Sequence, residues 1–202
     1  MRKIFMVVSA FMFFSFVTAD TPITDKERKS ALDLLTSTQS TLEKSIEGLS
    51  DAQLNFKAND SSWSVDGCVK HIAVSEKMLW GAVEQALKQP ANPEKRADIK
   101  VTDEQLVGFM ESRATKVKTM DAMKPENTSF KSTAEALASI KESRKRIIDF
   151  VGSTQDDLRN YVIQLPFGSF DAYQMVLLIG AHSNRHTQQL EEVKTAAGFP
   201  AN

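Results

Sequence analysis

The chain predicts an all-α fold: a four-helix bundle with an additional helix in the long connection between its second and third main helices. Three observations carry this. Apolar residues recur at spacings of three and four along most of the chain, alternating β-branched stretches are almost absent, and Ser/Thr-x-x-Glu/Gln capping signals stand ahead of the periodic runs. Four long periodic segments dominate, each able to bury one apolar stripe against the others.

The first helix is expected from about Thr24 to Glu47, opened by Thr24-Asp25-Lys26-Glu27 and closed at Gly48, with Ala31, Leu34, Leu35, Leu42 and Ile46 on its inner face. A short helical turn follows at Ser50 to Leu54. The second long helix starts after Trp63 with Ser64 as N-cap and reaches about Lys88, where Pro90 and Pro93 stop it. The accessory helix is expected from Thr102 to about Met123, with Leu106, Phe109, Met110, Val117 and Met120 as its apolar face. A third long helix opens at the capping box Ser132-Thr133-Ala134-Glu135 and runs to Gly152. Residues 160–169 read as non-helical, with room for a short extended stretch. The last helix spans about Phe170 to Ala197, before Gly198 and Pro200.

Composition bounds the rest. Met1-Arg2-Lys3, an apolar run from Ile4 to Val17 and the small residues Val17-Thr18-Ala19 read as a signal peptide over residues 1–19, cleaved near Ala19. The expectation is therefore an exported protein, periplasmic or secreted, with a single bundle domain over residues 20–202 and no integral membrane segment in the mature chain. Losing Arg2 and Lys3 takes the charge balance from 25 against 26 to 23 against 26, a net −3. Basic residues are scattered, and the densest group, Arg144-Lys145-Arg146, reads as a solvated helix face. Nucleic acid is not an expected partner. Cys68 stands alone, which leaves no intrachain disulfide.

The chemistry concentrates in three histidines, the only ones present: His71, His182 and His186. His182 and His186 are four apart on one helix, so their imidazoles share a face and can meet one ion. His71, near the start of the second long helix, supplies the third position. Three imidazoles leave coordination positions open, the pattern of a catalytic rather than a structural zinc site.

Two stretches flank these histidines: Trp63-Ser64-Val65-Asp66-Gly67-Cys68-Val69-Lys70-His71-Ile72 and His182-Ser183-Asn184-Arg185-His186-Thr187-Gln188-Gln189. Together with Leu49 to Leu54, they resemble the DinB-like (DinB/YfiT) superfamily of helical-bundle proteins. The resemblance covers nearly the whole mature chain. It implies one divalent metal ion (zinc, nickel, iron or manganese) bound by His71, His182 and His186. It also implies a small-molecule substrate, with hydrolysis by metal-bound water as the leading expectation. A thiol S-transferase or isomerase is the alternative activity, and a non-catalytic metal- or ligand-binding bundle the alternative class.

The chain departs from the family at Gly67, where an acidic residue is common. No catalytic residue stands out. Asp66, Glu76 and Asp171 are the carboxylates that could face the site, and Cys68 lies on the face of His71. Gln189 is placed to hold an imidazole, and Trp63 to close the bundle end. A homodimer would be permitted through Val176, Leu177 and Leu178 if these lay exposed on the last helix.

Overall fold

The computed structural model describes residues 21–201. The expected signal peptide lies outside them. The first main helix, α1 (Asp25–Ile46), begins at Thr24, whose side chain accepts from the Glu27 N–H while the Glu27 carboxylate accepts from the Thr24 N–H at 2.7 Å. The short α2 (Asp51–Asn55) opens with the same device built from Ser50 and Gln53. The second main helix, α3 (Val65–Ala86), is capped by Ser64, whose hydroxyl accepts from the Gly67 N–H at 3.0 Å. The third, α5 (Thr133–Ser153), has Ser132 as cap, but the Glu135 carboxylate reaches one residue farther back, to the Lys131 N–H. The last, α6 (Ala172–Lys194), starts from Asp171.

Helix α6 lies between α1 and α3, and α5 closes the square against the other side of both. The two histidine-bearing helices, α3 and α6, are therefore direct neighbours. At the α1–α6 crossing a Cβ on Gly180 would stand 2.8 Å from Leu34 Cγ, so only glycine permits this separation. A hairpin fills the non-helical passage before α6. Its strands, β1 (Val162–Leu165) and β2 (Gly168–Asp171), pair antiparallel with Leu165 opposite Gly168.

The accessory helix is shorter than its sequence suggests. Helix α4 (Asp103–Glu111) ends where Ser112 turns to ψ 126°, and side chains of α6 take over the terminal carbonyls. Gln188 donates to the Glu111 carbonyl at 3.2 Å, and Arg185 donates to those of Ser112 and Thr115. Of the expected apolar face, Leu106 is buried, whereas Phe109, Val117 and Met120 are exposed. Beyond Glu111 the connection is irregular, with short 3-10 turns at Asp121–Met123 and Pro125–Asn127 that lie against α3.

Two further expectations are corrected. Val176, Leu177 and Leu178 are buried within the bundle, so that face of α6 is not available for a second copy. Arg144 is not part of a solvated face. It is fully buried, with its guanidinium forked onto Glu76 at 3.2 and 2.6 Å and donating also to the Leu35 carbonyl and Thr38 Oγ1. This one side chain ties α1, α3 and α5 together, while its neighbours Lys145 and Arg146 stay exposed.

Candidate metal centre

His71 sits in the second turn of α3, and His182 and His186 occupy the middle of α6. Because these helices are neighbours, the three rings converge. The potential ligand atoms of His71, His182 and His186 all lie within 4.8 Å of one another. Ring centroids are separated by 5.1 Å for His71–His182, 4.4 Å for His71–His186 and 4.5 Å for His182–His186. Among the described residues, no other group of histidine, cysteine or carboxylate side chains is gathered in this way.

The outward nitrogens are assigned by their partners. His71 Nδ1 lies 2.8 Å from the carbonyl of Met123, an acceptor only, so Nδ1 carries the proton and Nε2 keeps its lone pair. His186 Nδ1 lies 2.8 Å from Gln189 Oε1, one turn along the same helix, which leaves its Nε2 free in the same way. Burial, opposed by the Met123 hydrogen bond, lowers the pKa of His71. Burial, with the positive potentials of His71 and Arg185, pushes His182 down to about 3. Burial also carries His186 well below the ordinary imidazole value, aided by His182 and His71. Three neutral imidazoles facing one point are the donor set that divalent zinc, nickel, iron and manganese accept, so the residues fit such an ion.

Trp63 forms a wall of this centre. Its indole stacks on His186 at 5.6 Å and 30° and tilts over His71 at 4.7 Å. Its other surroundings belong to a cleft of about 220 Å³, which it lines together with Asn55, Lys57, Asp66, Lys70 and Pro125. Gly67 forms part of the same lining, and a Cβ there would touch Pro125 and Trp63, each at 3.4 Å. The space beside Gly67 is filled by the pyrrolidine of Pro125.

The carboxylates named from sequence are otherwise engaged. Glu76 is held by Arg144. Asp66 pairs with Lys70 at 2.8 Å and accepts from Thr133 Oγ1 at 2.8 Å. Asp171 caps α6 and meets Arg159, which also forks onto Glu27 and Asp103 where α1, α4 and α6 begin. Cys68 is a buried core residue packed among Leu42, Val69 and Leu190, and burial pushes its thiol up to about 12. It behaves as a small hydrophobe.

Sequence reading found the three histidines, Trp63 and Gln189. It missed Met123, whose contribution is a backbone carbonyl and leaves no trace in residue type. It also missed Ser75, whose buried hydroxyl lies 3.4 Å from His71 Nε2 and 3.6 Å from Met123 Sδ, although its i+4 spacing from His71 was a usable signal. Arg113, whose Nη1 lies 3.5 Å from the Gln189 Oε1 that accepts from His186, escaped as well, because an irregular segment gives no helical face on which to place it.

The sequence pattern of the DinB superfamily matches residues 34–190. The chain belongs to the DinB superfamily. A protein of similar sequence is YuaE of Bacillus subtilis (strain 168), described as an uncharacterized protein; it is 25% identical over 150 residues, covering 74% of this chain and 88% of YuaE. The solved structure of YfiT from Bacillus subtilis superposes with a TM-score of 0.59 at 18% identity, covering 88% of this chain and 91% of that one. YfiT is described as a probable metal-dependent hydrolase with an unusual four-helix bundle topology. The likeness shows that this DinB protein shares that fold.

Proposed function

We propose that this DinB protein is a divalent-metal-dependent hydrolase of a small molecule, with His71, His182 and His186 as the metal ligands. The observation that carries the reading is the convergence of three neutral imidazoles within 4.8 Å, two of them fixed by acceptors on their outward nitrogens. The description of YfiT as a probable metal-dependent hydrolase supports the same reading.

A divalent ion held by His71, His182 and His186 would supply Lewis acidity, able to acidify water and polarise a substrate oxygen. The Met123 carbonyl and Gln189 keep two imidazoles in the tautomer that presents Nε2. Trp63 covers His71 and His186, and His182, of intermediate burial, is the most exposed of the three. The amino-terminal segment makes the protein an exported one under this proposal, and N-terminal sequencing of native material tests it. Among the described residues no helix is long and apolar enough to cross a membrane.

The test combines metal analysis with an activity screen. Purified protein should carry about one equivalent of divalent metal and hydrolyse members of an ester, amide and lactone panel without added thiol, and His186→Ala should lose both properties. Turnover only in the presence of a low-molecular-weight thiol would reassign the protein as a thiol transferase. Metal without turnover, together with a large loss of thermal stability on chelation, would favour a non-catalytic bundle.

A further inference from the structure

The irregular connection beyond α4 touches the back of the histidine centre in two places. Its Met123 carbonyl accepts from His71 Nδ1 at 2.8 Å. Its Arg113 reaches His186 through one intermediary: the Gln189 Oε1 that accepts from His186 Nδ1 lies 3.5 Å from Arg113 Nη1. Arg113 is itself held to α6, with Nε and Nη2 on the two Glu192 carboxylate oxygens at 3.1 and 2.8 Å. Two cationic or N–H donors thus converge on one amide oxygen, which fixes the amide with its oxygen toward the imidazole. Ser75 adds a third link, since its hydroxyl stands between His71 Nε2 and the Met123 thioether.

We propose that residues 112–127 are the outer shell of the metal centre: Arg113, acting through Gln189, and the Met123 carbonyl position His186 and His71, so that metal binding and docking of this segment are thermodynamically linked. This rests on the metal-binding reading of the three histidines. The physical ground is reciprocity. An acceptor that orients an imidazole and raises its basicity favours the metal-bound state, and a bound cation in turn polarises the imidazole and strengthens its N–H···O bond. Arg113 and Met123 are positioning residues, since neither needs to touch the ion. The long connection, which a bundle of this size could replace by a turn, thereby has a task at the site.

The test uses the whole mature chain and zinc as the probe. Zinc affinity is measured by chelator competition for the wild type, Arg113→Met, Gln189→Leu, the double variant and Gln189→Glu, with hydrogen exchange of residues 112–127 followed with and without zinc. Gln189→Leu should weaken binding about 10- to 100-fold. Arg113→Met should weaken it in the same direction, and the double variant should bind no worse than Gln189→Leu, because the arginine acts through that amide. Gln189→Glu, whose carboxylate accepts the same proton, should restore affinity. Zinc should slow exchange across 112–127 in the wild type. Unchanged affinity in Arg113→Met and Gln189→Leu, additive losses, or zinc protection confined to α3 and α6 would each overturn the linkage while leaving the metal centre standing. Absence of zinc binding by the wild type would overturn both.

Discussion

The Trp63 indole lies nearly parallel to the His186 imidazole, with centroids 5.6 Å apart and 30° between the planes. This places one of the chain's two tryptophans beside the candidate metal ligands, while the other, Trp80, packs on Phe150 in a separate part of the core. Addition of Co²⁺ or Cu²⁺ should therefore quench mainly Trp63 fluorescence. In Trp63→Phe the residual Trp80 emission should respond weakly. Full quenching in that variant would contradict the arrangement.

Arg144 and Glu76 form a buried ion pair with bidentate geometry. Removing one partner leaves an uncompensated buried charge, so Arg144→Ala should cost about 3–5 kcal/mol in urea unfolding. Replacing both, as Arg144→Met with Glu76→Leu, should recover most of that loss. A double variant as unstable as the single one would show that the bonds from Arg144 to Leu35 and Thr38 matter more than the pair.

Gly180→Ala should destabilise the fold by about 1–3 kcal/mol, because its Cβ would overlap Leu34 at the α1–α6 crossing. Leu34→Ala should relieve part of the clash, giving a coupling energy of opposite sign in a double-mutant cycle. Independent, additive effects in thermal unfolding would argue against this contact.

The Cys68 thiol, raised to about 12 by burial, should not react with a disulfide reagent in the folded protein at pH 9 and should react at once in denaturant. The linkage has a definite sign. The unfolded thiol ionises near about 8.5 whereas the folded one stays protonated, so its contribution to stability is complete below that pH and is lost as pH rises toward 12. Cys68→Ala should remove this alkaline component, as measured by unfolding curves between pH 8 and 11.

Much of the site was legible because it obeys helix arithmetic. The i, i+4 pair His182 and His186 and the capped start of α3 ahead of His71 are local signals, and bundle packing brings them together. What escaped was set by tertiary contacts. The length of α4 was overread because the apolar spacing of Val117 and Met120 mimics a helix face, while Arg185 and Gln188 from α6 satisfy the carbonyls that another turn would have used. Arg144 was overread as solvated because its burial depends on Glu76, a residue 68 positions away.

The three imidazoles are unequally anchored. His71 and His186 each have an acceptor on one ring nitrogen, whereas among the described residues no such acceptor stands beside His182, whose ring lies against the other two. A cation bound here would thus meet two preset donors and a third without such a brace. A substitution that gives His182 an acceptor of its own should therefore raise metal affinity, as the acceptors on His71 and His186 are proposed to do.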